Sequence, residues 1–104
     1  MGIFNWFSAQ GEPLQLPAGA VVIDVRSPAE YRQGHVADAL NWPLDQLQII
    51  LNEKKPDLAK PYVVYCARGP RAGVAKTVMT RAGFKNVINA GGISDLAHLG
   101  ISNH

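Results

Sequence analysis

The middle of the chain reads Cys66-Ala67-Arg68-Gly69-Pro70-Arg71, a loop sequence that holds the only cysteine. Residues 61–65 before it are mostly β-branched or aromatic, which is typical of a strand. Residues 72–82 after it carry apolar side chains at helical spacing, and Gly83 is placed to end the helix. The pattern predicts a strand, a tight loop and a helix in succession, with the thiol at the first position of the loop.

The composition of this loop favours a reactive thiolate at Cys66. Backbone N–H groups of a tight loop and of a helix N-terminus attract negative charge. Arg68 and Arg71 add two permanent positive charges, and Gly69 relieves the steric cost of a positive φ angle. The alternative is a buried cysteine that packs as a small apolar residue. Two arginines, a glycine and a proline are unusual neighbours for such a core thiol.

The overall composition excludes several classes of protein. At 104 residues, with 47% hydrophobic and 17% charged residues, the chain is predicted to form one globular domain. A net charge of +2 without a basic run gives little support to a nucleic-acid partner, and no apolar stretch is long enough to span a membrane. One cysteine excludes an internal disulfide and a multi-thiolate zinc site. No His/Asp/Glu cluster has metal-ligand spacing, so neither a metal nor a cofactor is expected.

The N-terminal segment is predicted to be separate from the domain. Residues 1–19 are interpreted as an extension and residues 20–104 as the domain itself. The first residues have no basic lead and only a short apolar run, which is not typical of a signal peptide. A cytoplasmic protein is therefore expected, or a periplasmic one if a signal peptide has been removed. The aromatic side chains of residues 1–7 are expected to cover an open edge of the core, with attachment to a partner or a membrane surface as the alternative.

Strand and helix patterns alternate in the rest of the chain. Residues 21–25 form an apolar run interrupted only by Asp24, which favours a buried parallel strand. Ser27-Pro28-Ala29-Glu30 has the spacing of a capping box for a short helix that Gly34 ends. The remaining predicted elements are a helix that begins at Leu44 and is closed by Pro56, and a short strand over residues 86–89 that leads into Gly91-Gly92.

This alternation indicates an α/β fold, a parallel sheet with helices on both faces. In such sheets ligands bind outside the carboxyl ends of the strands. Residues 24–26, the Cys66 loop and residues 90–92 are therefore expected to meet at one edge of the sheet. Asp24 and Arg26 are expected to support the site rather than to react. Asp24 would accept backbone N–H groups, and Arg26 would orient Asp24 or the loop.

The order and spacing of several motifs resemble those of a single-domain rhodanese, a sulfurtransferase family. The resemblance extends over residues 21–92, and the short chain is similar to compact rhodaneses of the phage-shock type. It implies a rhodanese-like sheet of about five parallel strands and a persulfide on Cys66 as the reaction intermediate. The matching stretches are Val22-Ile23-Asp24-Val25-Arg26, Glu30-Tyr31, Gly34-His35-Val36, Ala39-Leu40-Asn41-Trp42-Pro43-Leu44, Val63-Val64-Tyr65-Cys66 with Gly69 and Arg71, Ala82-Gly83-Phe84 with Val87, and Gly91-Gly92.

Two features depart from the pattern of that family. Many relatives carry a tryptophan shortly after the double glycine, whereas this chain continues with Ser94, Asp95 and Leu96. The part of the chain that follows the double glycine is also short. The pocket wall on that side is therefore expected to be thin or built differently.

The resemblance also implies roles for the loop residues. Cys66 would take the outer sulfur of thiosulfate, release sulfite, and pass the sulfur to cyanide, to a thiol or to a protein acceptor. Arg71 is expected to close the loop and to favour the thiolate. Arg68 either recognises the incoming anion or is a solvated surface charge. The substrate-binding residues are expected to be Ala67, Arg68, Gly69 and Pro70, whose backbone would form an anion-binding nest.

Two other functions are consistent with the sequence. Cysteine-dependent phosphatases and arsenate reductases use a similar loop, but the phosphatases place the arginine one position later, where this chain has Ala72. A shorter loop makes a smaller ring of N–H groups, which favours one sulfur atom over a tetrahedral oxyanion. The second alternative is a domain that carries a persulfide between partner proteins, or an interaction module with an idle thiol. An intact Cys66 beside two arginines argues against an idle thiol.

Overall fold

The computed structural model describes residues 15–104. The aromatic segment near the N-terminus, with its predicted covering or attachment role, lies outside the described residues, as does most of the predicted extension 1–19. The division of the chain at residue 20 therefore remains a prediction. Within residues 15–104, no helix combines the length and the apolar character needed to cross a membrane.

The described chain alternates strands and helices, as the sequence predicts. In chain order the elements are β1 (Val21–Asp24), α1 (Pro28–Gln33), β2 (His35–Val36), β3 (Leu40–Asn41), α2 (Leu47–Lys54), β4 (Pro61–Cys66), α3 (Pro70–Arg81), β5 (Asn86–Gly92) and β6 (Ile101–Ser102). Two 3₁₀ helices, Leu44–Gln46 and Ile93–Leu99, precede α2 and follow β5.

Four strands form one parallel sheet in the order β3-β1-β4-β5. The α/β class is confirmed, but the expected count of about five parallel strands is one too high for the part of the chain that the structure describes. The difference arises because β2 and β6 form a separate antiparallel pair. Each of these strands is two residues long, which is too short to show the alternating pattern that identifies a strand.

Each face of the sheet packs against its own apolar core. On one face, Val64 and Cys66 belong to a buried cluster with Leu47 of α2 and Met79 of α3. On the other face, the cluster contains Val63, Tyr65 and Val36 together with Leu96 of the second 3₁₀ helix. Helices therefore cover both faces, as predicted. Because side chains alternate along a strand, Tyr65 and Cys66 point to opposite faces of the sheet.

Local sequence rules account for the ends of the helices. Ser27 caps α1: its Oγ accepts the N–H of Glu30 at 3.2 Å, and Glu30 Oε1 accepts the N–H of Ser27 at 3.1 Å. The predicted capping box is therefore confirmed. Helix α3 begins at Pro70, two residues earlier than the apolar pattern predicts, because proline suits the first turn. It ends before Gly83, whose φ of +103° matches the predicted terminator.

Candidate active site

The three segments predicted to meet at the carboxyl edge of the sheet do lie together. The N–H of Val25 donates to the carbonyl oxygen of Tyr65 at 3.0 Å, which holds the residues after β1 against the end of β4. On the other side of β4, Cys66 is the register partner of Gly92. The Cys66 loop therefore leaves the sheet between the ends of β1 and β5.

Cys66 is buried, with 1% of its surface exposed. Its Sγ accepts a hydrogen bond from the N–H of Gly69 at 2.9 Å and lies 3.9 Å from the carbonyl oxygen of Gly91. Gly69 has a φ of +117°, which glycine adopts without the strain that a side chain would add. The sulfur thus packs at the border of the apolar core and is enclosed by the backbone of its own loop, with an N–H donor directed at it.

The backbone of this loop passes close over the end of β5. Between the pairs made by Val64 and by Cys66, the register shifts so that β5 contains one extra residue. A Cβ atom on Gly92 would overlap the carbonyl oxygen of Ala67 and would lie 3.1 Å from the Cα of Arg68. Only glycine leaves room for the loop at this position.

We expect Gly92→Ala to lower the free energy of unfolding by about 1–3 kcal/mol, the usual cost of overpacking. The matched control is Gly73→Ala in α3, where the new Cβ would lie 3.5 Å from Asn89 Nδ2, an ordinary contact. There the gain in helix propensity predicts a stabilisation of about 0.5–1 kcal/mol. Urea unfolding of both variants checks the pair. Equal effects would show that the loop has room for a Cβ.

Arg71, at the end of the loop, is bound by a residue of α1. Its Nη1 and Nη2 donate to Oε1 and Oε2 of Glu30 at 2.8 and 3.0 Å, a two-bond arrangement with good geometry. The pKa of Arg71 is raised chiefly by these bonds to Glu30 and by its negative charge. Arg71 therefore ties the end of the loop to α1. Arg68, by contrast, is exposed.

The partnership of Glu30 with Arg71 was not predicted from the sequence. The residues are 41 positions apart, and the capping-box spacing already explains a glutamate at position 30. One signal for such a partner was available in the sequence, namely the arginine at the end of the anion-binding loop. A partly buried guanidinium needs a carboxylate partner. The sequence alone does not indicate which acidic residue supplies it.

This pair predicts a pH-dependent contribution to stability. The pKa of Glu30 is lowered to about 2, first by the hydrogen bonds from Arg71 and also by those from Ser27. The unfolded value is about 4.3, so the contribution is present above that value and is lost as the pH falls towards 2. Glu30 is about one-third exposed, so solvent screening keeps the effect small.

We therefore expect the stability difference between the native protein and Glu30→Gln to be constant between about pH 7 and pH 5 and to shrink below about pH 4. Urea unfolding across this range measures it. Glu53→Gln, on the exposed side of α2, is the control for a general charge effect. A stability difference that grows as the pH falls would contradict the lowered pKa of Glu30.

A second ion pair lies buried below the site. Asp24 is fully buried, and its Oδ1 accepts the N–H of Arg26 at 2.8 Å, the kind of backbone contact that the sequence predicts. Its Oδ2 accepts Arg26 Nη2 and the hydroxyl of Tyr65, both at 2.7 Å. Tyr65 in turn accepts the N–H of Val36 at 2.9 Å, and Arg26 Nη2 also donates to the carbonyl of Gly34 at 2.6 Å. This network joins β1, β4 and the residues after α1.

The charges of the buried network support one another. Burial works against the charged form of Arg26, but the hydrogen bonds and the charge of Asp24 outweigh it, so the pKa of Arg26 is raised. Burial raises the pKa of Tyr65 well above its ordinary value, and the Asp24 carboxylate adds to the effect. Asp24 and Arg26 thus stay paired, with Tyr65 as a neutral donor. They hold the base of the site rather than contacting the sulfur.

The other ionisable residues that the structure describes do not form a metal site. Within residues 15–104, no cluster of three or more His, Cys, Asp or Glu side chains could hold a metal ion. His35 is buried, stacks on the ring of Tyr31 at 3.6 Å between centroids, and places Nδ1 2.8 Å from the carbonyl oxygen of Tyr31. Its ring therefore holds the end of α1.

The fold and the cysteine loop define a class of protein. Residues 10–98 match the Rhodanese-like domain, and the chain belongs to the rhodanese-like family. The resemblance found in the sequence is therefore confirmed. Over 75 residues the chain is 40% identical to the thiosulfate sulfurtransferase PspE of Escherichia coli, a match that covers 72% of each protein.

Comparison with a solved structure agrees with the sequence match. A structure described as rhodanese with anions from E. coli superposes with a TM-score of 0.74 at 35% identity, covering 82% of this chain and 99% of the other. The domain also occurs within larger proteins. The chain is 35% identical over 77 residues to a tRNA uridine(34) hydroxylase of Hamiltonella defensa, of which it spans 22%. Family membership therefore supports a sulfurtransferase in general, and the details depend on the site.

Proposed function

We propose that the protein is a sulfurtransferase that moves sulfane sulfur from thiosulfate to cyanide or a thiol through a persulfide on Cys66. The observation that carries this proposal is the enclosure of the sulfur by its own loop. Sγ accepts the Gly69 N–H at 2.9 Å, and only three residues separate β4 from α3. An outer sulfur atom added to Sγ would lie inside this ring of backbone groups, where N–H donors stabilise its negative charge.

The first step loads the cysteine. The Cys66 thiolate attacks the outer sulfur of thiosulfate, forming a new S–S bond as the bond to the sulfite group breaks and sulfite leaves with its electron pair. The total charge is unchanged, because a thiolate and a dianion become a persulfide anion and a dianion. No general base is needed once Cys66 is ionised.

The loop residues have different roles in the proposed reaction. Ala67, Arg68 and Gly69 supply backbone N–H groups, whereas Pro70 has none and contributes by starting α3. Arg71 holds the end of the loop through Glu30. The exposed Arg68 side chain is placed to attract an anionic donor or an acidic surface on a protein acceptor. The second step returns Cys66 to a thiolate, so ping-pong kinetics are expected.

The short loop also argues against a phosphatase. Helix α3 begins at Pro70, so the loop offers a ligand only a narrow ring of backbone N–H groups. At the position where the phosphatases carry their arginine, this chain has Ala72, which is fully buried. A tetrahedral phosphoryl group needs a wider ring of donors and an arginine directed at it. The observations favour sulfur over phosphorus as the atom that Cys66 receives.

The native protein is expected to gain the mass of one sulfur atom on incubation with thiosulfate and to lose it on addition of cyanide. Intact mass spectrometry measures both changes. The same preparation should hydrolyse p-nitrophenyl phosphate at a negligible rate. Phosphoester hydrolysis without sulfur uptake would overturn the proposal in favour of the phosphatase, and loading without turnover on any small acceptor would favour a persulfide carrier.

A further inference from the structure

The Gly91–Gly92 turn at the end of β5 forms one side of the sulfur site. The carbonyl oxygen of Gly91 lies 3.9 Å from Cys66 Sγ. The Cα of Gly92 lies so close to the Cys66 loop that a Cβ on it would overlap the carbonyl oxygen of Ala67. One glycine therefore contacts the sulfur and the other contacts the loop that carries it, so a displacement of the turn would disturb both.

Two adjacent glycines do not hold a single conformation by themselves. Glycine has no Cβ and populates more backbone conformations than any other residue, and fixing the backbone of each residue costs conformational entropy. Gly91 adopts a φ of +84°, which is one of several conformations open to glycine. The conformation of the turn in the folded protein therefore depends on the contacts that other residues make with it.

Both N–H groups of the turn are bonded to side chains. The N–H of Gly91 donates to Asn89 Oδ1 at 2.8 Å, and the N–H of Gly92 donates to Asp95 Oδ2 at 2.9 Å. Asn89 belongs to β5 and Asp95 to the second 3₁₀ helix, so residues on both sides of the turn hold it. The Asp95 carboxylate also packs against Gly91, because a Cβ there would lie 2.8 Å from Oδ2.

Asp95 belongs to the stretch after the double glycine in which the sequence departs from the pattern of the family. It is exposed, so a place in the apolar core does not account for it. Its bond to the Gly92 N–H also caps the second 3₁₀ helix. A cap alone would contribute to stability and would leave the reactivity of Cys66 unchanged, so experiment can separate the two roles.

We propose that Asn89 and Asp95 are positioning residues for the sulfur site. By fixing the Gly91–Gly92 turn, they keep the Cys66 loop in the geometry in which its sulfur reacts. They act through the turn and take no part in bond making. For sulfur uptake the inference rests on the proposed function, in which Cys66 receives the outer sulfur of thiosulfate. For the reactivity of the thiol itself it does not.

The first test measures sulfur uptake by variants of Asp95. The native protein, Asp95→Ala and Asp95→Asn are each mixed with thiosulfate below saturation, and intact mass spectrometry follows the initial rate of loading. We expect Asp95→Ala to load about tenfold more slowly, because a small displacement of reacting groups lowers a rate steeply. Asp95→Asn should load within about twofold of the native rate, since the amide oxygen still accepts the Gly92 N–H.

Asn89 provides an independent pair of variants. Asn89→Ala removes the acceptor of the Gly91 N–H and should also slow loading. Asn89→Asp keeps an acceptor at this position and should load faster than Asn89→Ala. Each pair contains one variant that removes the bond and one that keeps it, so if one alanine variant fails to fold, the other pair decides.

Asp57→Ala is the matched control for a loss of stability. Asp57 is exposed, and its Oδ1 accepts the N–H of Ala59 at 2.8 Å, a bond of the same kind. The residue precedes β4 and lies at the opposite end of that strand from Cys66. Asp57→Ala and Asp95→Ala should lower the urea midpoint of unfolding by similar amounts, but only Asp95→Ala should slow sulfur uptake.

Alkylation of Cys66 by iodoacetamide gives a readout that does not need the proposed function. The thiol is 1% exposed, and loss of one hydrogen bond from the turn should let the loop open more often. We expect Asp95→Ala to be alkylated about two- to tenfold faster than the native protein, the range that corresponds to one hydrogen bond. Asp57→Ala should react at the native rate. Slower sulfur uptake together with faster alkylation would identify a thiol that is more accessible but less well positioned.

The outcomes separate this inference from the proposed function. If the native protein gains no sulfur from thiosulfate, the proposed function fails and alkylation alone decides the inference. Equal alkylation rates for Asp95→Ala and Asp57→Ala would overturn the positioning role. In a protein that does load, equal loading by these two variants, or an Asp95→Asn variant as slow as Asp95→Ala, would overturn it as well.

Discussion

Cys66→Ser is expected to abolish sulfur uptake from thiosulfate while leaving the fold intact. A serine hydroxyl is not ionised at neutral pH and is a much weaker nucleophile than a thiolate, so the persulfide cannot form. The oxygen replaces Sγ as acceptor for the Gly69 N–H, which keeps the hydrogen bond of the loop. Intact mass after thiosulfate treatment should show no added sulfur, and the free energy of unfolding should change by no more than about 1 kcal/mol.

Cys66→Ala is the matched control for this experiment. It also removes the nucleophile, but it leaves the Gly69 N–H without its acceptor, so it should cost more stability than serine, about 1–3 kcal/mol for an unsatisfied group. Sulfur uptake by either variant would mean that thiosulfate reacts elsewhere on the chain. A serine variant that unfolds would show that the sulfur atom itself is essential for packing.

Asp24→Asn is expected to cause a large loss of stability, about 3–5 kcal/mol. The substitution keeps the shape of the side chain but removes the charge that balances Arg26, which is 7% exposed and would be left as an uncompensated buried cation. Because the whole stability of a small domain is about 5–15 kcal/mol, the variant should be close to unfolding at room temperature. Urea unfolding at neutral pH measures the change.

Two further variants make this result specific. Tyr65→Phe removes one donor to Asp24 and the acceptor for the Val36 N–H, and should cost about 1–3 kcal/mol. Asp45→Asn replaces an exposed carboxylate and should change stability by less than about 0.5 kcal/mol. If Asp24→Asn behaved like Asp45→Asn, the buried network of Asp24, Arg26 and Tyr65 would not be what holds β1 and β4 together.

The sequence predicts the features that follow from local rules. The capping box at Ser27, the end of α3 at Gly83 and the strand before Cys66 each depend on a few adjacent residues, and each is present. The meeting of three segments at one edge follows because the carboxyl ends of parallel strands lie at the same edge of a sheet. The fold class and the neighbourhood of the cysteine were therefore predictable.

Features that depend on residues far apart in the chain were not predictable. The pairing of β2 with β6 involves two-residue strands, and the Arg71–Glu30 bond joins residues 41 positions apart. The extra residue in β5 occurs where Gly92 closely approaches Ala67, and this packing cannot be predicted from the spacing of residues in the sequence. A groove between Gln33 of α1 and Ala97 of the second 3₁₀ helix likewise combines distant parts of the chain, and that 3₁₀ helix is weakly patterned in sequence.

The stability of helix α1 depends on a few contacts at its ends and surface, because none of its six residues is buried. A helix of this length is unstable in isolation, so it depends on its cap, on the stacking of Tyr31 with His35 and on the bond from Glu30 to Arg71. Local unfolding of α1 would break that bond and release the end of the Cys66 loop in the same event. The amide hydrogens of α1 should therefore exchange with solvent well before those of β4, and their exchange rate reports how often the site opens.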